Sequence, residues 1–269
     1  DMLLNPTIPV KELEKERKVV IEEISKDLNS PDDKVYDNLI EMIYKQHPYK
    51  RKVIGTEKVI STISRDEIFD YYNKFYVPQN FVTIVVGDVE PDYVYKKVEE
   101  KFNVASKKSQ KIVNKKEKPL TKQSINVDYQ PVSSGYFMVG FRGADISQND
   151  TYALDVLATI LGDGRSSILY QNVKEKEQLA FRIDAGNGTF KEDGMFVIQA
   201  DFKPENAEKL KNAIFQETNN IIKNGVSEKQ LNLAKKLIRT ETEYSRESVL
   251  NIASQIGYTT ILADTPQYY

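Results

Sequence analysis

Two acids in the first helix-forming stretch are the residues whose type and spacing could do chemistry. Val10 to Leu28 reads VKELEKERKVVIEEISKDL, with no Gly or Pro and with helix-favouring Glu, Lys, Leu and Arg at its surface positions. At about 100° per residue, Leu13, Val19, Val20 and Ile24 share one sector of this helix. Glu16 and Glu23 fall in the middle of that sector, about 20° from each other. Lys15, Lys18, Glu22 and Ser25 point the other way. The spacing predicts two carboxylates on an apolar face, two turns and roughly 10 Å apart along the axis. Acids on such a face need a partner. A Lys or Arg from an adjacent helix would supply one as an ion pair. A bound metal would supply another, because carboxylate oxygen ligates zinc and a second acid can hold the ligands in place. The acids by themselves leave both open, since catalytic zinc usually takes three protein ligands and favours His. The chain has one His, and it lies elsewhere, at His47.

The elements that must position these acids belong to a chain of 269 residues, 40% apolar and 29% charged, enough for one large domain or two modest ones. A net charge near −2 supplies no global basic field for nucleic acid. The absence of Cys excludes disulfides, thiolate metal sites and cysteine nucleophiles, and it fits a reducing, cytoplasmic location. No apolar run approaches the ~18 residues that span a bilayer, so no membrane partner is expected. Asp1 to Pro6 reads like the last turn of a helix, and the chain stops at Tyr268-Tyr269 just after another helical stretch. Both ends read as cut.

In order, a second helix is expected over about Lys34 to Gln46, capped by Asp32 or Asp33, with Val35, Leu39, Met42 and Ile43 inward. His47-Pro48 breaks it, which makes His47 a loop residue, and Val59-Ile60 reads as irregular chain. Ser64 and Glu67 have capping-box spacing at the start of a helix carrying Ile68, Tyr71, Tyr72 and Phe75. Phe81 to Val86 is the clearest strand signal, its nearly continuous apolar run placing it centrally in a sheet. A helix from Pro91 follows. Between Ala105 and Lys122 seven Lys face one Glu without periodicity, which reads as an exposed linker.

Beyond it, Ile125 to Tyr129 and Tyr136 to Phe141 alternate as strands, Asp150 to Leu161 is helical, and Gly162 to Ser167 is a tight turn into a helix over Ile168 to Glu177. Phe181 to Ala185 and Met195 to Phe202 form a hairpin with Phe196, Ile198, Ala200 and Phe202 on one face. Helices fill Glu205 to Lys223, Glu228 to Tyr244 and Ser248 to Leu262. Leu13, Arg17, Val19-Val20 and Glu23 realign with Leu231, Lys235, Leu237-Ile238 and Glu241, with Glu16 falling on Ala234. The economical organisation is α+β: two related units of antiparallel sheet packed by helices, both incomplete. The boundaries are 1–105, a Lys-rich linker over 106–122, and 123–269.

The segments ERKVVIEEI, YKQHPYKRKVIGTEKVI, SRDEIFDYYNKFYVPQNFVTIVVGDVEP and LGDGRSSILYQNVKEKEQLAF together resemble the pitrilysin/insulinase family of zinc peptidases, which includes the mitochondrial processing peptidases. The resemblance implies the processing-peptidase/LuxS-like metallohydrolase fold and a zinc metalloendopeptidase that cleaves peptides or unfolded segments in a clamshell chamber. In that family an HxxEH motif supplies two His ligands and the general base, and the third ligand is the second Glu of an ExxxxxxE pair. By this resemblance Glu23 is the zinc ligand and Glu16 its supporting acid. No HxxEH occurs in the 269 residues, so the general base is expected upstream, and this chain alone is expected neither to hold zinc nor to cleave.

The family's second unit often carries an Arg and a Tyr, seven residues apart, that contact substrate. The matching positions are Lys174 and Phe181, where Lys cannot make a bidentate Arg contact and Phe has no hydroxyl to donate. Implied partners are a peptide substrate and a related subunit in a homo- or heterodimer. The alternative within the family is a non-catalytic structural or substrate-holding subunit.

Overall fold

The computed structural model describes residues 3–102 and 112–268. No helix among them is long and apolar enough to cross a membrane. Helix α1 spans Val10–Leu28, its first turn closed by the Leu13 N–H donating to the Pro9 carbonyl at 2.9 Å. Helix α2 (Pro31–Ile43) begins three residues before the expected Lys34, because Pro31 is preorganised for a first helical position and Asp32 and Asp33 suit the dipole of the first turn. Helix α3 (Glu57–Thr62) replaces the irregular chain expected at Val59-Ile60, with Thr56 accepting the Val59 N–H as its cap. Helix α4 (Arg65–Phe75) carries the Ser64–Glu67 capping box, and α5 spans Pro91–Phe102.

Strand β1 (Gly135–Arg142) and helix α6 (Asp150–Leu161) follow. Then come a π-helical turn (Tyr170–Lys176), the hairpin strands β2 (Ala180–Gly188) and β3 (Met195–Phe202), and helix α7 (Ala207–Asn224). Helix α8 (Glu228–Ser245) opens on a second capping box between Ser227 and Gln230, and α9 is Val249–Ala263.

The class is α+β, but the two compact units are not the consecutive halves that the sequence boundaries describe. One comprises Asp1–Ser30, His47–Lys116 and Ser248–Tyr269; the other comprises Pro31–Gln46 and Glu117–Glu247. Helix α2 therefore joins the second unit and α9 the first. Of the expected linker, residues 106–111 lie outside the described residues, and residues 112–122 form neither helix nor strand.

The second unit is built on a three-stranded antiparallel sheet in the order β1-β3-β2. The alternation of β3 sends Phe196, Ile198, Ala200 and Phe202 to one face. There they meet Ala158 and Leu161 of α6, Leu169 and Val173 about the π turn, and Leu210 and Ile214 of α7. Helix α2 lies on β1, where a Cβ at Gly140 would come within 2.5 Å of the Ile43 side chain. The end of α2 is tied down by Arg142, which donates to the Ile43 carbonyl at 2.8 Å and sits 4.8 Å from the Tyr44 ring. The one Glu of the Lys-rich stretch, Glu117, is buried here: it accepts the Gln46 N–H and pairs with Arg142 at 3.4 Å. Ile125 to Tyr129, expected as a strand, pairs with no described strand and lies exposed, held at Asp128 by Lys34 at 2.6 Å.

No described residue of the first unit forms a strand. Phe81 to Val86 lacks a ladder partner, and instead of central burial it leaves Val82 48% and Val85 49% exposed. Aromatic and arginine contacts line α4 and its end and tie Phe81 to α5. Tyr72 stacks on Tyr76 at 5.2 Å, Phe81 meets Phe102 edge-on at 5.7 Å, and Arg65 lies 4.4 Å from the Phe69 ring. Arg65 also donates to the Thr7 and Ile8 carbonyls at 2.9 and 2.7 Å, fixing the entry to α1.

Two expectations follow from the sheet. At Gly162 an added Cβ would stand 2.1 Å from the Ala185 backbone nitrogen, whereas at Gly186 it would meet nothing within 4 Å. Gly162→Ala should cost about 1–3 kcal/mol in denaturant unfolding as an overpacked contact, and Gly186→Ala less than about 0.5 kcal/mol. The second concerns Arg182, which bridges Asp32 and Asp201 at 3.1 and 3.2 Å and approaches Asp184 at 3.9 Å. Burial pushes the Asp184 and Asp201 carboxyls up from 3.8, outweighing Gln199 and Arg182 beside the first and Arg182 beside the second. Both therefore hold a proton in the folded protein at a pH where the unfolded chain has released it. Their contribution to stability is present below 3.8 and is lost as pH rises through the raised folded values. Asp184→Asn should flatten that part of the stability–pH curve without loss at neutral pH. Arg182→Met should lower neutral stability by about 1 kcal/mol.

Candidate functional site

Helix α1 packs in a different phase from the one read from Leu13, Val19, Val20 and Ile24. Its packed positions are Leu13, Arg17, Val20, Ile21, Ile24 and Asp27, while Glu16, Glu22 and Glu23 are exposed and Val19 is 54% exposed. Glu16 and Glu23 are thus on a flank of the helix, about 80–100° from the middle of the packed sector, rather than at its centre. Arg17 lies within that packed sector. Its Nη1 donates to the Ile60 carbonyl and its Nη2 to the Ile63 carbonyl at 2.9 Å, at the end of α3, while Nε and Nη2 hold Glu14 at 3.3 and 3.2 Å. The aliphatic stem of Arg17 fills an i, i+4 position between Leu13 and Val20-Ile21, as long basic side chains do when their head groups reach acceptors. Glu22 stands almost opposite the packed sector, about 100–120° around the helix from Glu16 and Glu23.

The resemblance implies zinc, which takes three or four protein ligands. Glu23 and Glu16 offer carboxylates from one helix flank. Among the described residues no group of three or more His, Cys, Asp or Glu could hold a metal ion. These residues do not make a zinc site by themselves. His47 is no loose loop residue: it is fully buried, its Nδ1 accepts the Tyr49 N–H at 3.2 Å, and its ring lies 4.0 Å from that of Tyr49. It caps a short 3-10 turn over Pro48–Lys50.

Lys174 and Phe181 stand at the two ends of an irregular stretch. Lys174 lies in the π-helical turn, which replaces the α-helix expected over Ile168 to Glu177 and is marked by the Glu177 N–H donating to Asn172 five residues back at 3.0 Å. Its Nζ sits over the Tyr170 ring at 4.7 Å, so the cation is held against an aromatic face one turn earlier. Gln178 then takes φ 54°, a left-handed value uncommon outside Gly. Phe181 is the extra residue of a β-bulge between Ala180 and Arg182, and it is 52% exposed. The chain thus offers a cation on a ring and an unpaired phenyl, both anchored by the buried Leu169, Val173 and Leu179.

Tyr170 and Arg17 carry no motif and are missed by sequence reasoning. The signal that could have found Arg17 is its i, i+4 register with Leu13 and Ile21. An open depression at the end of β1 is lined by Arg142, Gln148, Asp150, Leu154 and Leu157. Its Arg is already engaged with Glu117, Ile43 and Tyr44.

Comparison with known proteins agrees with this architecture. The chain is 26% identical over 96% of its length to an uncharacterized zinc protease of Rickettsia bellii, covering 62% of that protein. It is 27% identical over 97% of its length to one of Bacillus subtilis, covering 63%. The chain therefore spans a little over three-fifths of these relatives. Among solved structures it is similar to the peptidase M16 inactive domain from Pseudomonas fluorescens, with TM-score 0.90 and 22% identity over 99% of this chain and 63% of that one. It is also similar to a protease from Helicobacter pylori, with TM-score 0.84 and 24% identity over 96% of this chain and 64% of that one. At those identities the structural likeness is one of fold. Residues 62–238, well over half of the chain, match the family model of the peptidase M16 inactive domain, and the chain belongs to the M16, or pitrilysin, family of peptidases.

Proposed function

We propose that the full-length protein is a zinc-dependent endopeptidase acting on peptides or unfolded segments, and that this chain supplies one metal ligand and the substrate-holding unit. The observation that carries the reading is the pair Glu16 and Glu23, seven residues apart on the exposed flank of α1, outside the packing of the helix. Two carboxylates held outward on one rigid helix are available to a group brought against them. Relatives along nearly the whole chain bear the name zinc protease. In this reading Glu23 is the ligand, Glu16 steadies it, and the remaining ligands and the general base come from sequence outside these 269 residues. Lys174 and Phe181 would contact the peptide, the first by charge and the second by apolar area, in a chamber completed by a related subunit or a second copy.

A second reading is a subunit of this family that holds substrate without cutting it, and one observation favours it: the matched family model is that of the inactive domain. The readings part on three variants of the full-length protein, assayed for zinc content and peptide turnover. For the enzyme, Glu23→Gln should lose both, because a neutral amide is a poor zinc ligand. Glu16→Gln should keep most of the metal and lose turnover by about 10–100-fold. Glu22→Gln should change turnover by less than about twofold. The 269-residue chain alone should retain no stoichiometric zinc after dialysis. Absence of turnover in a zinc-supplemented full-length protein would favour the holding subunit, and equal damage from Glu22→Gln and Glu23→Gln would overturn the assignment of the acids.

A further inference from the structure

Gly follows Asn at two places in the chain, Asn187-Gly188 and Asn224-Gly225, and the second unit treats the two pairs in opposite ways. An Asn before Gly can lose its amide without an enzyme. The Gly backbone nitrogen, uncrowded by a Cβ, attacks the Asn Cγ. A five-membered imide forms as the Cγ–Nδ2 bond breaks, and ammonia leaves carrying the proton from the Gly nitrogen. Water then opens the imide at either carbonyl, giving aspartate or iso-aspartate. The reaction needs a side chain free to swing onto the next nitrogen, a Gly N–H that can be released, and room for the ring.

Asn187, in β2, lacks the first of these. Its Nδ2 lies 2.8 Å from Asp155 Oδ1, 3.1 Å from Thr189 Oγ1, and 3.2 and 3.3 Å from the hydroxyl and carbonyl oxygens of Thr151. Acceptors on α6 and on the loop after β2 thus hold the amide in place. Its Oδ1 is buried without a hydrogen-bond partner, so charge developing there during attack would go unsolvated. A carboxylate in its place would stand against that of Asp155. Asn224 meets all three needs. It is the last residue of α7, it is exposed, and among the described residues its side chain makes no hydrogen bond. The Gly225 N–H donates to the Ile221 carbonyl at 2.9 Å, the final bond of the helix, and terminal turns open at little cost. A Cβ on Gly225 would meet nothing within 4 Å, so the ring has space.

We propose that Asn224 is a site of spontaneous deamidation, converting to aspartate or iso-aspartate while Asn187 keeps its amide. The product puts a carboxylate at the carboxyl end of α7, where the helix dipole disfavours it, and iso-aspartate lengthens the backbone of the turn into α8. Leu210 and Ile214, buried anchors of α7, lie more than about two turns earlier, so the core is kept. For the test, the full-length protein is aged in mildly alkaline buffer made with heavy-oxygen water, which marks imides opened during ageing, and its peptides are read by mass spectrometry. Asn224 should lose its amide at least about tenfold faster than Asn187, with iso-aspartate the main product. In denaturant, where neither environment persists, the two sites should react within about threefold of each other. A smaller ratio in the folded protein overturns the proposal, as does an Asn224 still intact when the denatured sites have reacted. A larger difference in denaturant overturns it too, because the fold is then not the cause.

Discussion

The last carbonyls of a helix must find donors, and in the first unit that requirement organises everything near the acids. Helix α3 has six residues, too few to be stable without tertiary support. Its terminal carbonyls take Arg17 from α1, while Arg65, the residue that opens the next helix, takes the carbonyls that precede α1. The two guanidinium groups reach across the same junction in opposite directions. One ties down the second turn of α1 and the other its entry, and the left-handed Ile8 is the local strain that this arrangement sustains. The acceptors of Arg17 lie 43 and 46 residues away in sequence.

The second unit is organised by burial instead. Its central strand β3 alternates cleanly, with one face packed against α6, the π turn and α7, and the helix α2 laid on β1 across the sheet. Within this regular frame the departures concentrate between Tyr170 and Arg182: a π turn, a left-handed Gln178 and a bulge at Phe181. Leu169, Val173, Leu179 and Ala180 stay buried through all three, so the core registers are kept while Lys174 and Phe181 are re-aimed. Irregularity of this kind survives where the surrounding packing over-determines it.

Much of this was legible in sequence wherever a local rule and burial agree. The capping boxes at Ser64–Glu67 and Ser227–Gln230 mark real helix starts, and the alternation of Met195 to Phe202 gives β3 to the residue. Failures fall where a distant partner decides. Phe81 to Val86 and Ile125 to Tyr129 have strand composition, but a strand is made by its neighbour, and no described segment pairs with either. The wheel built on Leu13, Val19, Val20 and Ile24 separates the acids from Glu22 but errs in phase, because it leaves out Ile21, which packs where Val19 does not. The internal echo is instructive on the same point. Helix α8 keeps the stripe Leu231, Ile238, Thr242 that mirrors Leu13, Val20, Ile24, but the position of Glu16 is Ala234, 2% exposed. There Lys235 stands exposed where α1 packs Arg17, and the small apolar residue turns inward.

The comparison between the two helices states the physical problem that a ligand-bearing helix must solve. A carboxylate that is to bind something has to be kept out of the core without being left free to wander, because buried it would demand a fixed counter-charge and mobile it would cost orientation. In α1 the apolar residues, Ile21 among them, leave Glu16 and Glu23 on a flank, whereas α8 carries Arg239 at the position of Ile21 and turns Ala234 inward. A guanidinium in the packed stripe adds directional bonds to that apolar packing, from Arg17 to the Ile60 and Ile63 carbonyls. Peptide contact makes the opposite demand, for side chains that leave the regular lattice of helix and strand, and the stretch from Tyr170 to Phe181 meets it with a π turn and a bulge over a fully packed floor. In the reading proposed above, ligand presentation and substrate holding are thus separated by the kind of backbone each requires.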